Sequence, residues 1–438
     1  MAGTAQTQAQ AAPDPAAARR LRVLITLFFL LDGFVFANWV VRVPQVKAHV
    51  GASPGTLGLA LLGVSIGAIA TMTITGRLCG RFGSRAVTIA TAVLLAFSVA
   101  LPAVMPTVLA LGAALFVFGA AWGGMNVAIN SAAVEVIAEL DQPIMPSFHA
   151  AYSLGGLLGA VVGGLVADYA GAPAHLAVVG VLGLAAAVGL GIPLLRCPPL
   201  STERRSTPRP TEAEAEADAL SGPDSESGPS SETARQLTII VYIFSVIALC
   251  SSYGEGALAD WGALHLRTDL HTSAGMAAAG YAAFSVAMFV GRLSGSWILR
   301  TVGRTAVLAG GGVTAGAGML VAALVPTLPV ALAGFVLVGI GLSNAFPATV
   351  GQAGVLRGPA GVATASTFGY GGFLTGPPLI GFLADRLGLP IALTSISVLA
   401  GIAAAIALLT ARWVRAAETL PREGRPVIAA ELPGACPP

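Results

Sequence analysis

Twelve apolar runs, each about as long as a membrane is thick, constrain this chain more than any other feature of its sequence. A helix of roughly 20 residues crosses the hydrocarbon core of a bilayer. In that core the backbone groups must pair within the protein, and a helix pairs them within a single segment. The sequence therefore predicts an all-α membrane protein with 12 transmembrane helices. The runs lie at about 22–41, 56–75, 86–105, 108–129, 148–169, 175–195, 237–257, 274–289, 306–325, 328–350, 363–383 and 391–411.

The composition supports a membrane protein and argues against several other classes. Hydrophobic residues make up 55% of the chain and charged residues 10%, against about 25% charged residues in soluble domains. A net charge of +2 provides no basic surface for a nucleic acid. The four cysteines are scattered, which predicts neither a disulfide framework nor a zinc site. The sequence also has no nucleophile triad, metal-ligand constellation or phosphate-binding loop, so we predict no enzymatic activity, no cofactor and no ATP-driven pumping.

One long polar segment, 197–235, divides the apolar runs into two groups of six. Its charged, Ser-, Gly- and Pro-rich composition cannot bury enough apolar surface to offset the ordering of the chain, which predicts a disordered linker. The six-helix halves are then 22–196 and 236–412, with cytoplasmic tails at 1–21 and 413–438. The first run lacks a convincing cleavage site, so we expect a retained helix rather than a signal peptide.

The distribution of basic residues predicts the orientation in the membrane. If the N-terminus is cytoplasmic, 19 of the 23 basic residues fall on the cytoplasmic side. Because cytoplasmic loops carry an excess of Lys and Arg, both termini and the linker are expected in the cytoplasm. The predicted location is the cytoplasmic (inner) cell membrane, crossed many times.

The two halves repeat each other in four places. The paired segments are Ala37-Asn38-Trp39 with Ala259-Asp260-Trp261, Gly76-Arg77-Leu78 with Gly291-Arg292-Leu293, Asn126 with Asn344, and 164–168 with 381–385. Four repeats in the same order predict a duplicated six-helix unit. In transporters built from such repeats, two bundles move around a site near the middle of the membrane.

One motif gives the chain a resemblance to a known family. The segment Gly76–Arg85 is similar to the motif G-x-x-x-D-R-x-G-R-[RK] of the major facilitator superfamily, with Gly80 in place of the aspartate. The resemblance covers nearly all of the chain outside the tails and the linker. It implies two pseudo-symmetric six-helix bundles and secondary transport. Further motifs resemble the MosC-like group, which is related to the L-fucose permeases, and they are Asn38-Trp39, Pro44, Asn130, Phe148-His149, 255–261 and Phe346-Pro347.

A gating motif is predicted after the second helix, with its repeat in the second half. Its residues are Gly76, Arg77, Arg81, Gly83, Arg85, Gly291 and Arg292. Arginine alone could anchor a helix end at anionic lipid, but the recurring glycines favour a tight turn used in gating. Because Gly80 replaces the aspartate, the family's interhelical charge contact from that position is not expected here.

Two carboxylates lie within apolar runs: Asp32 in the first helix and Glu255 in the seventh. Burying a charge in hydrocarbon is unfavourable, so such residues usually mark a transport pathway. We predict that Asp32 or Glu255 exchanges a proton during transport. This prediction is a superfamily expectation only, because the helix-four carboxylate of the L-fucose permeases corresponds to Asn126 in this chain.

Polar and aromatic residues on the helices that would line a cavity between the bundles are predicted to bind the substrate. They are Asn38, Trp39, Asn126, Asn130, His149, Tyr152, Glu255, Trp261, Tyr281, Asn344 and Tyr370. Amides and indoles suit a small hydroxylated or zwitterionic solute. The alternative for each residue is an interhelical hydrogen bond or an interfacial aromatic. His149 has no second ligand at metal-binding spacing, so no metal site is predicted.

These observations favour a secondary active transporter that moves a small organic solute by alternating access, coupled to protons. An exporter of drugs or secondary metabolites by proton antiport is the alternative, and a membrane sensor without transport is a more remote one. The expected partners are the solute, protons and the lipid bilayer, and we expect a monomer.

Overall fold

A computed structural model describes residues 15–140, 144–198 and 231–418, which form 13 α-helices and a short 3-10 helix at Leu101–Val104. In chain order the helices are α1 Pro15–Val50, α2 Pro54–Phe82, α3 Ser84–Ser98, α4 Val108–Leu140, α5 Met145–Ala167, α6 Ala172–Arg196, α7 Ser231–Thr268, α8 Ala274–Val302, α9 Arg304–Leu324, α10 Leu328–Leu342, α11 Ala345–Leu387, α12 Leu389–Leu409 and α13 Ala411–Glu418.

The helices are longer than the apolar runs and enter segments predicted to be disordered. Helix α1 begins at Pro15, inside the predicted tail, and α7 begins at Ser231, inside the predicted linker. A helix keeps its backbone groups paired beyond the lipid, so the apolar run marks only the part in hydrocarbon. The rest of the predicted linker, 199–230, lies outside the described residues.

Apolar side chains cover the outside of the helices. Leu109, Leu165 and Leu409 are 86%, 69% and 81% exposed, and many other large apolar residues are also exposed. A soluble protein rarely exposes so much apolar surface, whereas lipid tails would cover it. In the described part of the chain, 11 segments are long and apolar enough to cross a membrane.

The predicted run at 363–383 is the one missing from these segments, and it lies in the second part of α11. A straight helix of 43 residues would be about 65 Å long, twice the hydrocarbon thickness. Instead α11 folds back on itself, as two contacts between distant residues of the helix show. A Cβ on Gly361 would collide with the carbonyl oxygen of Ala353, and Gly369 packs against the ring of Phe346. Its first arm completes the tenth span and its second arm forms the eleventh. The prediction of 12 transmembrane helices is therefore confirmed.

Helices α2 and α8 show the duplication most clearly. Both have 29 residues, and both start after a serine, Ser53 or Ser273, whose hydroxyl accepts a backbone N–H of the first turn. Both end at a glycine with positive φ, 83° at Gly83 and 81° at Gly303, a conformation that side chains disfavour. The two helices are therefore equivalent elements of the two repeats.

This alignment corrects one of the repeats found in the sequence. When Ser53 is matched with Ser273, Arg77 falls opposite Trp297 and not opposite Arg292. The repeat Gly76-Arg77-Leu78 with Gly291-Arg292-Leu293 was therefore five residues out of register. Arg292 lies ten residues before the end of α8, which places it inside the membrane span.

The halves meet along α1, α2 and α5 of the first and α7, α8 and α11 of the second, with α5 packed on α8 and α2 on α11. The helix backbones of the two halves approach each other closely at this interface. A Cβ on Gly58 would lie 2.5 Å from the carbonyl oxygen of Pro377, and one on Gly164 would lie 2.9 Å from the Cβ of Ala278. Small residues therefore bring the two bundles into direct contact.

Two aspartates join the halves at the face that carries the α1–α2 turn, called the outer face below. Asp168, after α5, accepts the backbone N–H groups of Ala274 at 3.0 Å and Gly275 at 3.2 Å, at the start of α8. Asp385, near the end of α11, accepts the hydroxyl of Ser53 at 3.2 Å, at the start of α2. We call these two contacts the outer caps. Helix N-termini carry partial positive charge, so each cap is electrostatically favourable.

Removing the charge of the outer caps should loosen the outer face. Asp168→Asn and Asp385→Asn should each weaken closure by about 0.3–1 kcal/mol, the usual effect of an anion at a helix N-terminus. The open population should then rise about two- to fivefold, measured as distances between spin labels at His49 and His271 after removal of the native cysteines. Asp269→Asn is the control, since Asp269 bonds His265 of the same half, four residues earlier. Distance distributions unchanged in both variants would contradict the role of the caps.

Candidate functional site

A buried ion pair lies where the two halves meet. On α8, Arg292 Nη2 donates to both carboxylate oxygens of Glu255 on α7, at 3.0 and 3.3 Å. Its Nη1 donates to the hydroxyl of Ser153 on α5, in the other half, at 2.7 Å. The side chains of Arg292 and Glu255 are 9% and 19% exposed. We call these three residues the central bridge, because they connect three helices and both halves.

The central bridge corrects the position expected for Arg292. The sequence placed this arginine in a cytoplasmic gating motif, but its guanidinium lies in the interior. Its neighbour Gly291 is held by the second half, since the Asn344 amide donates to the Gly291 carbonyl at 2.9 Å. Asn344, predicted to bind substrate, thus has a helix-packing contact.

A second polar contact crosses between the halves at α4 and α11. The hydroxyl of Tyr370 donates to the side-chain oxygen of Asn126 at 2.9 Å. The Asn130 amide donates to the Asn126 backbone carbonyl at 2.8 Å and approaches its side-chain oxygen at 3.3 Å. The structure thus brings three predicted substrate-binding residues into one hydrogen-bonded chain.

Asp32 is the most isolated of the described carboxylates in the interior. It is 0% exposed, and neither carboxylate oxygen has a hydrogen-bond partner among the described residues. It lies within electrostatic range of Tyr152 and Tyr370. The next residue, Gly33, packs directly against the backbone carbonyl of Tyr152, which fixes α1 against α5 at this level.

Three more predicted residues interact electrostatically with Asp32 or the central bridge. Tyr152 lies within electrostatic range of Asp32, Glu255 and Arg292, and Tyr281 within range of Glu255 and Arg292. His149 carries its ring against Phe29 at 5.5 Å, edge to face, and is within electrostatic range of Arg292. Phenols, an imidazole, amides and an ion pair therefore meet in one region between the halves.

Two other predicted residues, Asn38 and Trp39, contact residues of their own half. The Asn38 amide donates to the carbonyl of Phe34 on its own helix at 2.8 Å, and Trp39 packs against Phe118 at 6.0 Å. Trp261 is fully buried on α7. The Trp39 contact is interhelical packing, which the sequence left open as an alternative, whereas the Asn38 hydrogen bond stays within α1.

The predicted gating residues after α2 differ in their contacts. Arg77 and Arg81 are exposed, and Arg81 stacks over the ring of Phe82 at 5.3 Å. Arg85 donates to the carbonyl oxygens of Cys197 at 2.8 Å and Pro198 at 3.1 Å. Arg85 thus ties the start of α3 to the end of α6.

Sequence reasoning missed Ser153 and the depth of Arg292. Ser153 stands in the glycine-rich fifth run, where it reads as one more small packing residue. Arg292 could have been placed by its distance from Gly303, which ends α8 as Gly83 ends α2. Among the described residues, no three His, Cys, Asp or Glu side chains converge as metal ligands.

We expect Glu255 and Arg292 of the central bridge to stabilise the fold only as a pair. Glu255→Gln leaves Arg292 buried without a counter-charge and should lower the free energy of unfolding by about 3–5 kcal/mol, as for other broken buried pairs. Glu255→Gln with Arg292→Gln should recover much of this loss, because no unpaired charge remains.

Thermal unfolding of the detergent-solubilised protein measures both effects. Asp260→Asn, on the same helix as Glu255, is the matched control and should unfold near the wild-type temperature. A double variant as unstable as the sum of the two single variants would show that the two side chains act independently.

Comparisons with known proteins agree with this architecture. The family model described as the Major Facilitator Superfamily matches residues 24–356. An uncharacterised transporter of Sinorhizobium fredii is 35% identical over 86% of this chain and 95% of its own length, and the membrane protein MosC of Rhizobium meliloti is 28% identical over 85% and 86%. Among solved structures, an inward-facing bacterial homologue of the human lysosomal transporter Spinster superposes with a TM-score of 0.68 at 15% identity, over 92% of this chain and 99% of its own.

Proposed function

Because the chain belongs to the Major Facilitator Superfamily, we propose that it is a secondary active transporter that moves a small organic solute by alternating access, coupled to protons. The central bridge carries the proposal. Arg292 binds Glu255 in its own half and Ser153 in the other half, deep within apolar helices. Ionisable residues at such depth mark transport pathways, and repeat-built transporters bind their solutes between the repeats.

The arrangement supports alternating access because the polar contacts between the halves lie at separate levels of the interface. The outer caps hold one end of the interface, and the central bridge and the Tyr370–Asn126 hydrogen bond hold its middle. Each contact can break without unfolding a helix. A solute that replaces the middle contacts would allow the halves to separate at the outer face.

For the proton, Asp32 is the better of the two predicted carboxylates. Glu255 has Arg292 as its counter-charge, whereas the oxygens of Asp32 have no hydrogen-bond partner in the described part of the chain. A buried carboxylate without a partner is strongly disfavoured in its charged form. A proton is the simplest group that neutralises it.

The glycines of α5 pack directly against α1. A Cβ on Gly155 would collide with the carbonyl oxygen of Leu30, and one on Gly159 would lie 2.5 Å from that of Phe34. Close packing of α1 on α5 therefore accounts for these glycines. Proton-driven export of drugs or secondary metabolites stays the alternative, and a sensor without transport the remote one.

We further propose that the protein is a monomer in the cytoplasmic membrane, with both termini in the cytoplasm. The basic residues support this orientation: with Arg292 inside the membrane, 18 of the other 22 would lie on the cytoplasmic side. On this orientation the outer caps face away from the cytoplasm.

Flux in proteoliposomes tests the proposal. Purified protein with an imposed pH gradient should drive movement of members of a panel of sugars, amines, amino acids and antibiotics. Arg292→Gln should lower this flux at least about tenfold, equivalent to about 1.4 kcal/mol, because it removes the contact between the halves. Arg300→Gln, an exposed arginine on the same helix, is the control and should retain flux. Equal flux in both variants would contradict the role of the central bridge, and no solute movement in any condition would contradict transport.

A further inference from the structure

We infer that a cavity at the outer end of the first half binds a small oxyanion, a carboxylate or a phosphate, and that the bound anion favours closure of the outer face. The cavity lies between the end of α1, the short 3-10 helix and the start of α6, away from the central bridge. Binding and closure are both measured on the purified protein, so neither depends on the proposed transport function.

The cavity is small and has no acidic lining. Its volume is about 220 Å³, below the roughly 300–1,000 Å³ of pockets for drug-sized ligands. Gln45 and His49 on α1 and Gly171 at the start of α6 supply its polar lining, and Val46 and Ala103 supply apolar lining. Among the described residues no carboxylate lines it. A cavity of this size and lining suits a small organic acid better than a cation.

A buried arginine lies one helical turn deeper than the cavity. Arg42 is 0% exposed, and it precedes Gln45 and Val46 by three and four residues, so it lies on the same face of α1. Its Nε donates to His175 Nδ1 at 2.7 Å, and its Nη1 donates to Gln45 Oε1 at 2.7 Å. Its Nη2 has no hydrogen-bond partner among the described residues. The guanidinium therefore has N–H donors left for a ligand.

The charge of Arg42 is not balanced by a carboxylate bonded to it. Its described hydrogen-bond partners, which are His175, Gln45 and the Ala167 carbonyl, all accept through uncharged atoms. Asp168 is within electrostatic range, but its oxygens accept backbone N–H groups of α8 in one of the outer caps. A buried cation is stabilised most by an anion that it also hydrogen-bonds. An oxyanion at Nη2 would provide both the charge and the acceptor.

The start of α6 adds a second positive region to the cavity. Its N-cap residue is Gly171, and no side chain caps the helix there. Helix N-termini carry partial positive charge and bind anions through their N–H groups. His49, which lines the same cavity, can donate from its ring. A guanidinium, an uncapped helix N-terminus and an imidazole therefore all favour a negative ligand.

The cavity is connected to one of the outer caps. Arg42 Nη1 and Gln45 Nε2 both donate to the carbonyl oxygen of Ala167, at 3.3 Å each. Ala167 is the last residue of α5, and the next residue, Asp168, caps α8. An anion bound to Arg42 holds these side chains in the arrangement of the closed outer face. A ligand that prefers one arrangement shifts the population towards it.

Calorimetry on the detergent-solubilised protein tests the charge of the ligand with matched solutes. Acetate and succinate are compared with acetamide and succinamide, and phosphate and methylammonium complete the series. We expect binding by one or more of the anions and by none of the neutral or cationic members. Binding by the amides or methylammonium alone, or no binding by any anion, would overturn the inference.

A second titration, in lipid nanodiscs, identifies the source of the oxyanion. Competition between the soluble anion and phosphatidylglycerol, absent in discs of phosphatidylcholine alone, would assign the cavity to an anionic lipid headgroup. Equal affinity in both discs would assign it to a soluble anion.

One pair of variants assigns binding to Arg42. Arg42→Gln should weaken anion binding at least about tenfold, because it removes a hydrogen bond between charged groups. Arg267→Gln, an exposed arginine near the outer end of α7, is the control and should bind as the wild type does. Undiminished binding in Arg42→Gln would overturn the site, and thermal unfolding shows that each variant is folded.

Gly171 allows a second pair that leaves Arg42 unchanged. Its φ of −63° and ψ of 155° suit any residue, and a Cβ there would meet only the Pro173 ring, at 3.8 Å. Asp and Asn are about equally good N-cap residues, so both variants should fold. Gly171→Asp places a carboxylate at the cavity and should weaken anion binding at least about tenfold, whereas Gly171→Asn should retain it. Equal affinity in the two variants would overturn the site.

Distances between spin labels test the effect on the outer face. With labels at Ala48 and His271 after removal of the native cysteines, the tightest-binding anion of the series should lower the open population at least about twofold. The same anion should have no effect in Arg42→Gln. Distances that stay unchanged in the wild type at saturating anion would overturn the effect on closure. Proteoliposomes that move no solute would contradict transport and leave the anion site standing.

Discussion

A charge inside a bilayer needs a partner, and this requirement decides what the centre of the molecule can contain. Arg292 satisfies it by binding Glu255 and, across the interface, Ser153. The same contact that makes an arginine tolerable in the membrane therefore also connects the two halves. A movement of the halves that breaks this contact has to provide the guanidinium with new partners, and in the proposed transport cycle the bound solute supplies them.

The interface has different chemistry at its two levels. At the outer face, exposed aspartates bind helix N-termini, and such contacts are individually weak. At the centre, buried groups have no water to replace a lost partner, so each contact is worth more. This combination suits a protein whose outer face opens readily, but only after the buried polar groups at the centre have found other partners.

Much of the architecture could be predicted from the sequence, because the length of an apolar run is set by the bilayer and not by the rest of the fold. Twelve helices and two six-helix halves follow from that rule and are present. The register of the repeat around Arg77 and Arg292 was wrong, because a match of three residues carries no information on where a helix ends. The N-terminal serines and terminal glycines of α2 and α8 contain that information.

The site was predictable only in part. Tyr370 bonds Asn126 of the other half and Glu255 pairs with Arg292 in the interior, whereas Trp39 packs against Phe118 of its own half. Soluble helices show their buried face by a polar opposite face, but membrane helices are apolar all around. Depth can therefore be counted along the sequence, but the direction of a side chain around its helix cannot.

The outer caps also have a consequence for the evolution of the chain. Each aspartate belongs to one half and its partner helix to the other, and the positions facing the carboxylates are Gly55 and Gly275, where a Cβ would collide with them. Two copies of a six-helix ancestor would carry the aspartate and the glycine on each subunit, so both caps would form at once in a symmetric dimer. In the present chain the same two contacts are internal, which is what fusion of such a dimer into one chain would produce.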